Sequence, residues 1–273
     1  MTQPLLIVGA PRSGNTLVRR VLMASGQIYI PPETYVLGEL IERWRKWFFL
    51  SWRERVWLFC AYFERHPHWL ELDIESLSSF ADDAKGWPKG RRTLRDLIDG
   101  FYRFMAREHG FSGVRWGDKT PWNTMHLKSI TRFYPDAYYL WLVRDGRDSV
   151  ASQIKADMRD LDQSANRWVT ANWHCRRYLP KGRTQMMRYE DLVQSPEKNF
   201  RQIFSWAGLD FAPNHLTDVP ARLGDVTMRD HHAAVLQPIT STSIGNWKKS
   251  LDPDQVDGLS AEFHKMMKEF NYG

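Results

Sequence analysis

The feature that most constrains this chain lies near its start. Leu5-Leu6-Ile7-Val8 is an unbroken apolar run, the mark of a strand buried on both faces. It passes directly into Gly9-Ala10-Pro11-Arg12-Ser13-Gly14-Asn15-Thr16. The next stretch, Leu17-Val18-Arg19-Arg20-Val21-Leu22-Met23, has helical apolar spacing and ends near Gly26. A strand, a glycine-bearing turn and a helix N-terminus in succession build an anion site: the N–H groups of the turn point outward and the helix dipole favours negative charge. The turn keeps the G-x-x-x-x-G-x-T frame of a phosphate-binding loop, with Asn15 where nucleoside triphosphatases carry lysine. The nearest cation is Arg12, within the turn. The expected phosphate cradle is therefore Arg12, Ser13, Gly14, Asn15, Thr16 and Leu17. It lacks the lysine that serves ATP or GTP hydrolysis, and the same residues would also make a plain tight turn.

A second unit of the same kind follows. Ala137-Tyr138-Tyr139-Leu140-Trp141-Leu142-Val143 reads as a strand, and Arg144-Asp145-Gly146-Arg147-Asp148 as the turn into a helix. Arg144 ends the strand and Ser152 lies eight residues later on the helix. Both are placed to meet a second anion at the strand ends, where open α/β sheets bind ligands. The alternative is a salt-bridged turn of Arg144 and Arg147 with Asp145 and Asp148.

The coarse order is strand, helix, a helical region, then strand, helix, strand, helix and one C-terminal helix from about Gln255 to Phe270. This predicts an α/β fold of three layers: a mostly parallel central sheet, a P-loop-like phosphate-binding turn and a helical insertion. No linker rich in Pro, Gly or Ser appears, so residues 1–273 are expected to form a single domain with its insertion at about 41–112. Predicted helices there are Leu40–Phe49, Arg53–Arg65 and Leu94–His109, with a polar connection from Lys85 to Arg92. Trp44, Trp47, Phe48, Phe49, Trp52, Trp57 and Phe59 crowd this region. They suit an acceptor pocket or lid wall, a peripheral contact with lipid, helix packing or a homodimer contact; aromatic clusters mostly pack.

Charge narrows the partners. Lys plus Arg number 38 and Asp plus Glu 32, a formal net charge of +6. That excess suits an anionic small molecule and is too small and scattered for nucleic acid. The two cysteines, Cys60 and Cys175, are far apart, which argues against a disulfide framework and for a reducing compartment. The start, Met1-Thr2-Gln3-Pro4, has no basic segment or long apolar core of a signal peptide. The stretch from Trp44 to Phe63 is broken by Arg53, Glu54 and Arg55, so no transmembrane segment is expected and a cytoplasmic location is. No metal-ligand cluster stands out; His66 and His68 are a weak pair.

Taken together, the two turns resemble those of sulfotransferases that use 3′-phosphoadenosine 5′-phosphosulfate (PAPS). Their 5′-phosphosulfate loop is similar to Pro11-Arg12-Ser13-Gly14-Asn15-Thr16, and their 3′-phosphate site to Arg144 and Ser152. The branch holding the tyrosylprotein sulfotransferases and many bacterial relatives looks closest. Pro32-Glu33-Thr34, Gly117-Asp118-Lys119-Thr120-Pro121, Arg188-Tyr189-Glu190-Asp191-Leu192 and Trp247-Lys248 carry that resemblance. It covers roughly residues 4–40 and 115–250. Asn15 departs from the usual threonine, and its amide can still hydrogen-bond a phosphate.

The resemblance implies a PAPS-dependent sulfotransferase that moves a sulfuryl group to a hydroxyl or amine and releases adenosine 3′,5′-bisphosphate. Arg12 and Lys119 would stabilise charge on the transferring group without a metal. Glu33, read here as opening the helix after the phosphate loop, would take the acceptor proton, with His126 as the other candidate. Tyr189 would lie near the adenine or serve as core, and Lys248 would meet the 3′-phosphate from a late segment that folds over the nucleotide. His231 falls where the tyrosylprotein branch has a serine. The acceptor stays open: a sugar or glycan, a phenol, a lipid or a peptide tyrosine. The rival functions are a P-loop kinase or hydrolase using Arg12, and a non-catalytic nucleotide-binding relative.

Overall fold

Five short strands make one parallel sheet: β1 (Leu5–Gly9), β2 (Ile28–Tyr29), β3 (Arg115–Lys119), β4 (Tyr138–Val143) and β5 (Thr184–Arg188), in the order β2-β3-β1-β4-β5. The structure is a computed structural model and describes residues 3–111, 114–220 and 236–273. The apolar run of β1 takes the central place, flanked on both sides, with Leu6 in register with Asp118 and Tyr139. Because every pairing is parallel, each strand needs a crossover. The carboxyl ends of all strands therefore share one edge. The chain moves outward to β2 and β3 on one side of β1, then to β4 and β5 on the other, and the crevice at that reversal is where such sheets bind ligands.

Helix α1 (Asn15–Ala24) follows β1. Between β2 and β3 the chain forms α2 (Leu37–Arg43), α3 (Trp52–Glu64), α4 (Ser78–Lys85) and α5 (Leu94–Glu108). These helices are held by rings: Phe63 and Phe101 lie 3.9 Å apart between centroids, and Tyr102 stacks on Trp116 of β3 at 4.2 Å. The insertion is thus fastened to the strand that precedes the site. After β3 come α6 (Leu127–Phe133), then α7 (Gly146–Lys155) and α8 (Leu161–Tyr178) behind β4, and α9 (Tyr189–Gln194) and α10 (Pro196–Ala207) behind β5.

Several elements differ from expectation. The helix expected from Leu40 to Phe49 is α2 plus a 3₁₀ turn at Trp44–Trp47. Pro31–Thr34 does not open a helix; α2 begins at Leu37. The C-terminal helix is two, Pro253–Asp257 and Ala261–Glu269. The break falls after Gly258, where Ser260 starts a new helix by accepting the Phe263 N–H on its hydroxyl. Strand β3 and helix α4 were not anticipated. Asp118 and Lys119 on β3 are wholly buried, so its sequence has no apolar run to announce it.

The aromatic-rich region divides. Trp47 and Phe59 are core, Trp44 and Trp52 are partly covered, and Phe48, Phe49 and Trp57 are exposed.

Candidate active site

The turn after β1 is shaped by three left-handed or near-left-handed residues. Gly9 has φ +149°, and a side chain there would meet the Leu142 carbonyl oxygen at 2.3 Å, so only glycine lets β1 and β4 approach this closely. Arg12 has φ +62° and Gly14 φ +89°. Strain at a non-glycine residue such as Arg12 is the kind found at ligand clamps. Gly14 caps α1 with no side-chain hydrogen bond, and the first turn holds no acidic residue, so the helix end keeps its positive potential for a ligand. Among the described residues the Ser13 hydroxyl is buried without a partner. Asn15 donates its side-chain N–H to the Ala10 carbonyl at 3.0 Å. Its side chain therefore braces the loop, and what remains for an anion is its backbone N–H.

The two sequence motifs meet. Arg12 Nε donates to Ser152 Oγ at 2.9 Å, and Arg144 donates to the Arg12 carbonyl at 3.1 Å and to the Ser243 carbonyl at 2.8 Å. Burial, and then the neighbouring charge of Arg144, lower the pKa of Arg12. Glu33 and Tyr189 oppose that lowering. Arg144 Nε is buried and without a partner among the described residues, while its guanidinium lies 4.5 Å from the Tyr189 ring centroid. That ring sits against Gly14, where a Cβ would approach it to 2.5 Å, and its hydroxyl meets Ser243 Oγ at 2.5 Å. The salt-bridged-turn alternative is present as well: Arg147 pairs with Asp145 at 2.7 Å and Arg144 with Asp148 at 3.8 Å. Asp148 also accepts the backbone N–H groups of Gly245 and Trp247, strapping the late segment to α7.

Across the cleft, Lys119 Nζ, fully buried at the end of β3, donates to Glu33 Oε1 at 2.9 Å. The Glu33 loop is pinned by its neighbour. Thr34 donates its N–H to Thr120 Oγ1 at 3.1 Å and its hydroxyl to Asp118 at 2.8 Å. Asp118 also accepts from Tyr102 at 2.6 Å and Asn123 at 2.7 Å. Burial pushes the Asp118 carboxyl up in pKa, and these donors oppose the rise.

These groups line one cleft of about 1160 Å³. Arg12, Gly14, Asn15, Thr16, Leu17, Glu33, Arg144, Ser152 and Tyr189 are on its wall; Ser13 and Lys119 lie just behind it. Lys248 is not: it is exposed, its ammonium 5.8 Å from the Trp247 ring, and Lys249 lines the cleft instead. His126 is also off the wall and bonds Glu42 at 3.1 Å. His66 and His68 stack on Tyr35 at 4.9 and 4.7 Å, so they serve as ring partners. The described residues hold no group of three or more His, Cys, Asp or Glu suited to a metal. His231 lies outside the described residues.

Sequence reasoning missed the far end of the cleft: Tyr35, Trp122, Met158, Arg159 and Arg167. Arg167 is buried, donates to the Pro121 carbonyl and Thr124 Oγ1, and has its pKa brought down to about 10 by burial and by Arg159. Trp122, beside the Asp-Lys-Thr-Pro run, is the one sequence signal that points there.

An uncapped helix end and a spare arginine N–H thus meet at the cleft, with an unpartnered serine hydroxyl behind its wall. The cations of the cleft, Arg12 and Arg144 among them, lie outside the lysine position of a P-loop, on a parallel α/β frame of the P-loop-like kind. The chain belongs to the sulfotransferase family, whose profile it matches over residues 4–213. It is 24% identical to a protein-tyrosine sulfotransferase of Drosophila melanogaster across 98% of this chain and 52% of that protein, so it spans about half of that relative's length. Its fold is similar to the sulfotransferase domain of the Synechococcus PCC 7002 olefin synthase, with a TM-score of 0.70 at 22% identity over 100% of this chain and 97% of that one. A mouse sulfotransferase solved with PAP aligns with a TM-score of 0.52 at 12% identity, over 97% and 85% of the two chains.

Proposed function

We propose that this chain transfers a sulfuryl group from PAPS to a hydroxyl of an acceptor, releasing adenosine 3′,5′-bisphosphate. The observation that carries the reading is the contact of the two anion motifs: Arg12 on Ser152, and Arg144 on the Arg12 carbonyl, beside an uncapped helix. Arg12 and the N–H groups of the loop hold the 5′ end. Arg144, with Ser152, holds the 3′-phosphate, and Tyr189 faces the base. The bound donor supplies an SO₃ unit already activated by a phosphate leaving group. Lys119 stabilises negative charge on that leaving oxygen. Glu33 accepts the acceptor's hydroxyl proton as the new S–O bond forms and the old one breaks. In the substrate-free protein Lys119 and Glu33 hold each other in place.

A phenolic acceptor such as a peptide tyrosine is the reading favoured at the far end. Tyr35 and Trp122 offer aromatic rings, and the Drosophila relative named above is a protein-tyrosine sulfotransferase by name. Arg159 and Arg167 suit negative charge next to that hydroxyl. Buried, unpaired Cys60 and Cys175 fit a reducing compartment such as the cytoplasm.

The test has two arms. Adenosine 3′,5′-bisphosphate at a hundred times its dissociation constant adds about 2.7 kcal/mol of stability, read as a raised melting temperature, whereas ATP with Mg²⁺ adds little. Sulfur-labelled PAPS then transfers label to a tyrosine peptide or, failing that, to a component of a cell extract. Stabilisation by ATP with Mg²⁺ alone would replace this reading with phosphoryl transfer, and tight bisphosphate binding without turnover would make the chain a binding protein.

A further inference from the structure

Outside the cleft, the segment from α2 to α3 carries an unusual surface. Phe48 is 77% exposed and Phe49 71%, the two rings packed edge to face at 5.8 Å, and Trp57 is 47% exposed one turn into α3. Exposed large apolar side chains are ordinary when single; three on one short segment mark a contact surface.

The presentation is built. Arg55 donates to the carbonyls of Leu50 and Phe48 at 3.0 and 2.7 Å, tying down the turn beneath the two rings. Ser51 and Glu54 form a reciprocal capping box that fixes the start of α3 immediately after it. Trp47 and Trp44 pack inward behind the tip. The Phe pair therefore projects from a braced turn.

The charges around it are sorted. The acidic side chains of the segment are engaged: Glu54 with the Ser51 N–H, Glu42 with Ser129 and His126, Glu39 with Arg43. The exposed cations Arg45, Lys46 and Arg53 have no acidic partner among the described residues. Aromatic side chains flanked by unpaired lysine and arginine match a bilayer interface: the rings enter the headgroup boundary and the cations meet anionic lipid.

We propose that the 44–57 segment docks this protein reversibly on an anionic membrane surface, with Phe48 and Phe49 inserted and Arg45, Lys46 and Arg53 on the lipid headgroups. No helix among the described residues is long and apolar enough to cross a membrane, so the contact is peripheral. Helix α2 starts two residues after the cleft-lining Tyr35 and ends at the edge of this segment. Docking would therefore hold the cleft near the lipid surface, where a membrane-associated acceptor presents its hydroxyl.

Vesicle co-sedimentation of the full chain tests this, with vesicles of phosphatidylcholine alone or with about a third of the lipid replaced by phosphatidylserine. Each basic side chain near an anionic surface strengthens partitioning about fivefold, so Arg45→Glu, Lys46→Glu and Arg53→Glu together weaken it by about a hundredfold or more. Phe48→Ser with Phe49→Ser abolishes binding and removes a blue shift of tryptophan fluorescence, while adenosine 3′,5′-bisphosphate still raises the melting temperature as in the parent, which shows that the fold survives. Equal binding to both vesicle types, no binding to either, or binding retained by the serine variant overturns the proposal. So does a concentration-dependent dimer that the serine variant loses, which would assign the patch to a second copy of this chain.

Discussion

Replacing Arg144 by alanine separates a nucleotide site from a structural turn, because the structure divides its bonds into two sets. Two of its N–H groups go to backbone carbonyls, those of Arg12 and Ser243, and support the loops under any ligand. Nε is buried with no partner among the described residues. That N–H, with the second N–H on each terminal nitrogen and the charge they share, is what remains for a 3′-phosphate. A hydrogen bond to a charged group contributes roughly 1.5–3 kcal/mol, or about ten- to a hundredfold in affinity. Arg144→Ala should thus weaken adenosine 3′,5′-bisphosphate by that factor beyond whatever it does to adenosine 5′-monophosphate, which lacks the 3′ group. Losing the two carbonyl bonds loosens the loops, and that loss falls on both nucleotides alike. Isothermal titration of parent and variant with each nucleotide gives the four constants needed. Equal losses, or none, would refute the reasoning and return Arg144 to the role of a turn brace.

Glu33→Gln should keep bisphosphate affinity within a few-fold and lower the transfer rate by about 10²–10⁴; turnover close to the parent in a steady-state assay would remove Glu33 as the base. Tyr102→Phe takes one donor from buried Asp118 and should lower stability by about 1–3 kcal/mol in urea unfolding, more at neutral pH than in acid. The sign follows from the direction of the shift: burial raises the Asp118 pKa in the fold, so ionisation above that value works against folding and needs every donor. A variant as stable as the parent across pH would mean the hydroxyl contributes nothing. Burial pushes the Cys60 thiol up to about 12 and raises Cys175 as well, so iodoacetamide at pH 8 should label neither until denaturant is added; rapid labelling of the native protein, read by mass spectrometry, would show the packing around α3 and α8 to be open.

How far the sequence led depended on what kind of residue carried each part. The phosphate loop was readable because its signals are local: an apolar run for β1, then glycines where the backbone needs positive φ or close approach. Gly14 and Gly9 both meet that need. Arg144 and Ser152 were readable for the same reason, as a strand end and the helix after it. Strand β3 was not, since its burial is of Asp118 and Lys119, whose partners Tyr102, Thr34 and Glu33 come from distant stretches. Periodicity cannot register a buried charge that is satisfied across the fold. The same holds for Arg167, on α8, which reaches the cleft only because α8 packs on the turn that follows β3. Lys248 shows the opposite failure: the motif placed a cation in the right segment, and the 3₁₀ turn at Asn246–Lys249 put the adjacent Lys249 on the wall.

The arrangement also explains why the donor end tolerates features that oppose folding. Arg12 sits in a left-handed conformation that costs a non-glycine residue about 1–2 kcal/mol, and its pKa is lowered by burial and by Arg144 beside it. Glu33 and Tyr189 oppose the lowering of the Arg12 pKa, while α1 has no acidic residue in its first turn and Ser13 leaves its hydroxyl unpartnered among the described residues. An anionic ligand would ease the repulsion between Arg12 and Arg144 and satisfy the helix end in one event. Lys119 and Glu33 follow the other strategy: their charges neutralise each other until substrates arrive. The two parts of the cleft thus differ in charge: the loop side gathers Arg12, Arg144 and an uncapped helix end, with Asp148 3.8 Å from Arg144, whereas Lys119 and Glu33 form a balanced pair.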